Sequence, residues 1–232
     1  MNRNYAIVLA GGNGSRMEST VPKQYIEIEG KPVLYYSLAA FEKCSFIDSI
    51  VLVVRNSDID YCRENIITKY GFRKISSVVT GGQRRCDSVM NGLKAVRDPG
   101  FVFIHDGARP CINGDVLERL YEDVKKYKTA VAAVPSKDTV KIADEEGFVM
   151  DTPDRRNTWI IQTPQAFDTI LIKEAYKNID DRSRDFVTDD AMVMEKYGNV
   201  SVKLTLSEYT NIKITTPEDI GIVSNILKVL KK

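Results

Sequence analysis

The chain has 232 residues, and its 33 Lys+Arg against 32 Asp+Glu leave a formal net charge of +1. That balance provides no global field for holding nucleic acid or an acidic membrane, though a local basic pocket remains allowed. Hydrophobic residues at 43% and charged residues at 28% suit a soluble globular protein, and the length supports a sizeable core in a single domain spanning residues 1–232.

The first apolar run, Tyr5–Ala10, is too short for a signal-peptide core and leads straight into Gly11-Gly12, so a cytoplasmic protein without membrane spans is expected. Short runs rich in β-branched residues then alternate with amphipathic stretches. Ala6–Ala10, Ile50–Val54, Ile75–Val79, Phe101–His105 and Ala130–Val134 read as strands buried on both faces. Val33–Glu42, Ile59–Lys69, Ser88–Val96 and Val116–Tyr127 have helical spacing. The alternation predicts an α/β fold, a Rossmann-like and mostly parallel sheet with helices on both faces.

After Val134 the rhythm breaks. Thr139–Ile142 and Phe148–Met150 flank Ala143–Gly147 as in a hairpin, and the chain continues to the apolar run Trp159–Ile161. This segment has too few apolar residues for a core of its own, so residues 137–161 or thereabouts are expected to project as a β-arm, buried against a second copy of the chain. Helical spacing returns at Ile170–Lys177 and Asp189–Tyr197, with a strand expected at Val200–Leu204. Thr216-Pro217-Glu218-Asp219 reads as the start of a final helix, with proline in its first turn and acids facing the dipole. The four cysteines (Cys44, Cys62, Cys86, Cys111) form no C-x-x-C pair and are expected to be reduced structural thiols. One histidine leaves no material for a His-rich zinc site or a serine triad.

Ligands of open α/β sheets lie beyond the carboxyl ends of the strands, which selects three segments. Gly11-Gly12-Asn13-Gly14-Ser15-Arg16 leaves the first strand; its glycines let backbone N–H groups approach an anion. It matches neither the dinucleotide pattern, since Met17 replaces the third glycine, nor the Walker pattern, which lacks its Gly-Lys-Ser/Thr. Arg16 and Lys23 (in Pro22-Lys23-Gln24-Tyr25) are two cations suited to a triphosphate whose departing diphosphate gains charge in the transition state. Gly81-Gly82 leaves the third strand and allows close approach to a ring or ribose, and Ser88 is expected to open a helix whose N-terminus favours anions. Asp106 lands at the mouth of the fourth strand, where a carboxylate serves Mg²⁺ or a sugar hydroxyl, while His105 is expected to pack inside.

With these segments in place the chain resembles, end to end, the 2-C-methyl-D-erythritol 4-phosphate cytidylyltransferases. The landmarks are the glycine loop with Arg16, Pro22–Tyr25, Gly81-Gly82 with Arg85 and Asp87-Ser88-Val89, and His105–Pro110. Lys137–Lys141, Gln162–Phe167, Thr188–Ala191 and Asn211–Thr215 complete them. The resemblance implies transfer of CMP from CTP to methylerythritol phosphate with Mg²⁺ required and metal ligands unassigned. It assigns Arg16 and Lys23 to the triphosphate and the transition state. Ala10, Gly11, Gly12, Gly14, Gly81, Gly82 and Ser88 fall to CTP binding. Asp106, Arg109, Thr139, Arg155 and Lys213 fall to the sugar phosphate, with Arg155 and Lys213 positioning the attacking group. Arg155 is preferred over Arg156 because Asn157 and Trp159 then keep the family's spacing. The resemblance also implies a homodimer in which each arm reaches the other subunit's site.

Three departures stand out: Leu9-Ala10-Gly11-Gly12 in place of Ala-Ala-Gly, Gln83 where the family often has an acid, and Thr158 for a usual leucine. The first is closer to ribitol 5-phosphate cytidylyltransferases, the nearest rival reading. Asp87-Ser88-Val89, Lys137-Asp138-Thr139 with Lys141, and Arg155 with Trp159 favour the methylerythritol enzymes. A catalytically silent nucleotide-binding protein is the rival of another class, disfavoured by the intact Arg16, Lys23 and Lys213. A NAD-dependent dehydrogenase is remote because the third glycine is missing.

Overall fold

In the computed structural model, which describes residues 2–12 and 21–230, seven strands form one sheet in the order β11-β7-β10-β6-β1-β4-β5. They are β1 (Tyr5–Ala10), β4 (Ser49–Val54), β5 (Ile75–Thr80), β6 (Phe101–Asp106), β7 (Thr129–Pro135), β10 (Trp159–Asp168) and β11 (Leu204–Leu206). β1 pairs in parallel with β4 and β6, and β4 with β5, because each crossover is made by helical chain returning over the sheet. β10 runs antiparallel to both β6 and β7, so the reversed strand lies inside the sheet and not at its edge.

Alternation along β1 divides the core. Ala6, Val8 and Ala10 face α1 (Val33–Lys43), α2 (Ile59–Cys62) and α4 (Gly114–Tyr127), where Leu34, Leu38, Phe41 and Leu117 are fully buried. Tyr5 and Ile7 face α3 (Arg85–Ala95), α5 (Thr169–Lys177) and α6 (Asp190–Tyr197), packing with Val89, Leu93, Ile172 and Met194. α3 approaches β1 closely at Gly92, where a Cβ would stand 2.7 Å from Ile7 Cγ2. Asn113, Asp168 and Asp189 cap α4, α5 and α6 with side-chain oxygens that accept first-turn N–H groups. A smaller cluster joins Ile28 and Val33 to Val223 and Leu227 of α7 (Glu218–Leu230).

Four expectations are corrected. α3 begins at Arg85, not Ser88, because the Asp87 carboxylate reaches back to accept the Arg84 N–H and Nε–H and so closes the helix start one turn earlier. The strand expected at Val200–Leu204 is β11, shifted to Leu204–Leu206, where its pairing with Val131–Ala133 of β7 sets the register. The helix expected over Ile59–Lys69 widens after α2 into a π-helical stretch, Arg63–Thr68. Within the expected arm, β8 (Ile142–Ala143) and β9 (Val149–Asp151) form a separate two-stranded ribbon, but Trp159–Ile161, expected at its end, belongs to β10 and pairs with Ala133–Pro135 of β7. The remaining strands, β2 (Glu27–Ile28) and β3 (Lys31–Pro32), pair with each other. Among the described residues no helix is long and apolar enough to cross a membrane.

Candidate active site

β1, β4, β5 and β6 bring their carboxyl ends to one edge of the sheet, and the strand order reverses there, with β4 and β5 on one side of β1 and β6 on the other. Such a switch point opens a crevice. A cavity of about 530 Å³ occupies it, lined by Leu9–Gly12 after β1, Arg55 and Asn56 after β4, Gly81–Arg85 and Ser88 around β5, and Asp106 and Ala108 after β6. Lys23, Gln24 and Lys213 complete the lining.

Local structure aims these groups. The turn Lys23–Tyr25 is fastened by the two residues that follow the lysine: buried Gln24 donates to the Ala10 carbonyl at 2.9 Å, and the Tyr25 hydroxyl donates to Asp58 at 3.0 Å. Lys23 Nζ lies at the cavity and donates to the Ile214 carbonyl at 2.9 Å. Gly82 is required by close approach, since a Cβ would meet that of Asp87 at 2.3 Å, and its N–H donates to Ser88 Oγ at 2.9 Å. Ser88 thus ties the glycine loop to α3, while Asp87 takes the helix-end N–H that an anion was expected to use. The segment carrying Lys213 is pinned by buried Asn211, which donates to Gln162 and to the Thr163 carbonyl, and by the Ile214 N–H bonded to Ala108.

A second cavity of about 300 Å³ adjoins the first, lined by Ile161–Thr163 and Gln165 of β10, Thr188 and Asp189, and Arg109. Arg85, Asp106 and Lys213 line both cavities, so a charged wall divides them. Lys213 Nζ lies 2.7 Å from Asp106 Oδ2, and Arg85 Nε 3.4 Å from Oδ1. Burial opposes the charge on Asp106, but the Arg85 and Lys213 cations outweigh it and hold the carboxyl well below the usual carboxylate range. Behind it, fully buried His105 has a pKa pushed down to about 4 by desolvation. Thr163 Oγ1 accepts the Asp106 N–H and therefore donates to His105 Nδ1, leaving Nε2–H to donate to the Arg109 carbonyl. The histidine is a neutral strut, as expected from the sequence, and no base faces the substrate from it.

The arrangement, two adjoining cavities with cations on their shared wall and a glycine-lined approach, suits joining two phosphorylated molecules. The sequence profile of the family described as 2-C-methyl-D-erythritol 4-phosphate cytidylyltransferase (IspD) matches residues 5–229. The chain belongs to this family.

It is therefore a cytidylyltransferase, one of the nucleotidyltransferase enzymes. A 2-C-methyl-D-erythritol 4-phosphate cytidylyltransferase of Lachnospira eligens is 50% identical over 226 residues, 97% of this chain and 99% of the relative. One of Lachnoclostridium phytofermentans is 47% identical over 228 residues, 98% of this chain and 97% of the relative. Among solved structures, the 4-diphosphocytidyl-2C-methyl-D-erythritol synthase of Anaerococcus prevotii superposes with a TM-score of 0.83 at 35% identity, covering 98% of this chain and 96% of its own.

Of the residues singled out from the cytidylyltransferase sequence, Ala10, Gly11, Gly12, Lys23, Gly81, Gly82, Ser88, Asp106 and Lys213 come together around the first cavity. Arg109 joins the second, its guanidinium donating to the Asn211 carbonyl at 2.8 Å. Gly14 and Arg16 lie outside the described residues. Thr139 and Arg155 line neither cavity; both are exposed on the arm, where Arg155 donates to the Lys137 carbonyl at 3.4 Å. Gln83 lines the first cavity despite its departure from the family's acid. Sequence reasoning passed over Arg55 and Asn56, although they directly follow β4 and the strand-end rule applied evenly would have included them. It quoted Arg85 only as a landmark and gave it no role.

Proposed function

We propose that the protein transfers CMP from CTP to 2-C-methyl-D-erythritol 4-phosphate, giving 4-diphosphocytidyl-2-C-methyl-D-erythritol and pyrophosphate, a step in making isoprenoid precursors. The observation that carries this reading, beside family membership, is the pair of cavities sharing a wall of Arg85, Asp106 and Lys213. CTP would take the larger cavity, its cytidine against Gly81, Gly82 and Ser88 and its phosphates towards Ala10–Gly12 and Lys23. The sugar phosphate would take the smaller, with Asp106 towards its hydroxyls and Arg109 and Lys213 towards its phosphate. An oxygen of that phosphate attacks the α-phosphorus of CTP, the bond to the bridging oxygen of the β-phosphate breaks, and pyrophosphate leaves. The nucleophile is already ionised at neutral pH, so the chemistry needs no general base and a chain with one histidine suffices. The obstacle is repulsion between two polyanions, which positioned cations reduce.

Mg²⁺ fits this scheme as part of the nucleotide substrate. Among the described residues no group of three metal-ligating side chains occurs, and both Asp106 oxygens already face cations. The ion would ride on the triphosphate oxygens and add to the charge neutralisation there.

Thr139 and Arg155, which the family resemblance assigns to the sugar phosphate, line neither cavity. We therefore assign the arm to a homodimer in which each ribbon supplies those residues to its partner. The arm's exposed apolar groups support this, with Phe148, Val149 and Met150 at 67%, 59% and 70% exposure. The four free thiols suit the cytoplasm. Incubation with CTP, Mg²⁺ and each sugar phosphate in turn, read as pyrophosphate release, tests the substrate: turnover with methylerythritol phosphate supports the reading, and turnover with ribitol 5-phosphate alone overturns it. CTP binding with no release from either sugar phosphate would favour a silent nucleotide-binding protein.

A further inference from the structure

The charged wall continues beyond both cavities. Arg85 is forked: Nε faces Asp106, and Nη2 lies 2.9 Å from Asp190 Oδ2. Asp190 is fully buried at the start of α6 and lines neither cavity. Its other oxygen accepts the hydroxyl of Tyr176, on α5, at 2.5 Å. Two acids and two cations thus alternate in contact, Asp190, Arg85, Asp106, Lys213, and Arg109 adds a more distant positive charge that also acts on Asp106. Asp190 has no exposed surface and Tyr176 almost none to offer a ligand, yet three elements of the fold, α3, α5 and α6, converge to hold one guanidinium.

We propose that Arg85, braced by Asp190 and Tyr176, is a positioning residue that keeps Asp106 placed and compensated when Lys213 turns from that carboxylate to the substrate phosphate. The inference rests on the proposed reaction. Lys213 carries one charge and has two claimants, the Asp106 carboxylate and the incoming phosphate. If Asp106 had no other cation, release of Lys213 would strand a buried carboxylate, a costly state. Arg85 removes that obstacle because its fork serves Asp106 and Asp190 simultaneously, which a lysine's single nitrogen on a flexible stem does less well. Bracing also matters, since a displacement of about 1 Å in a positioning group lowers turnover by as much as a hundredfold.

Steady-state kinetics of the full chain with Mg²⁺, CTP and methylerythritol phosphate test this. Arg85→Gln is expected to lower kcat roughly ten- to hundredfold while KM for CTP changes little. Arg85→Lys should recover part of the loss. Combined with Asp106→Asn, the Arg85→Gln substitution should cause no further loss, because its effect passes through that carboxylate. If Arg85→Gln does not fold, Arg85→Gln with Asp190→Asn removes both charges of the buried pair and carries the same test. Full kcat in the folded Arg85 variants, or losses that multiply with those of Asp106→Asn, would overturn the inference and leave the functional reading standing. No pyrophosphate release by the unsubstituted protein would remove both.

Discussion

Lys23 shows how a single side chain is made useful by the hydrogen bonds of its neighbours. Gln24 and Tyr25 are buried and bonded, so the ammonium between the cavity and the Ile214 carbonyl is presented by a fixed turn. Lys23→Ala is expected to lower turnover by about a hundredfold, equivalent to about 3 kcal/mol of transition-state stabilisation, with the melting temperature unchanged within a degree or so. Steady-state rates beside thermal melts check both halves. His105 makes the opposite point, a titratable group that the fold keeps neutral. Its pKa in the fold is about 4 against an ordinary 6.5, so between these values the unfolded chain binds a proton that the folded one refuses. Stability should fall as pH drops through that window, by about 3 kcal/mol in all. Urea midpoints measured from pH 7 to pH 4 should follow this slope, and His105→Gln should flatten it.

At the scale of elements, α3 has two faces with different tasks. Its first turn holds Gly82 and Ser88 at the cavity, and its third holds Gly92 against Ile7 of β1. Gly92→Ala would force the helix from the sheet, since its Cβ would lie 2.7 Å from Ile7 Cγ2. The expected cost is about 1–3 kcal/mol of stability, seen as a lower denaturation midpoint. Because α3 also carries Arg85, the same substitution should lower kcat, which separates it from an ordinary core defect. The parallel strands β1, β4, β6 and β7 and the helices between them were legible from alternation and period because burial on both faces leaves a continuous apolar run. β10 was less legible. Only its first third, Trp159–Ile161, is an apolar run; Gln162–Gln165 is polar and includes Pro164, yet this stretch is buried because it carries the hydrogen bonds that seat Asn211 and α6. A polar segment buried for its hydrogen bonds has no periodic signature.

For the whole molecule, the arm is the feature that one chain leaves unfinished. Phe148 and Met150 are exposed on a ribbon paired with none of the seven sheet strands. The homodimer assignment predicts twice the chain mass by sedimentation. Phe148→Glu with Met150→Glu should weaken association and lower activity together. Complementation is the sharper check. Lys23→Ala and Arg155→Ala damage different sites of a shared centre, so mixed and reassociated dimers should recover activity that neither parent has. No recovery from exchanged subunits would place Arg155 in its own chain's site or outside the reaction.

The succession of apolar runs, the glycines after the first and third strands, and the order of the motifs from Gly11 to Thr215 are local properties. They specified the layered sheet and the chemistry at its edge. Only the folded chain decided that Arg85, Asp106 and Lys213, far apart in sequence, form one wall between two cavities, and that Asp190 and Tyr176 stand behind it. The reason is physical: a charge in water is indifferent to distant residues, whereas burial makes each ion depend on whichever partner the topology places within reach.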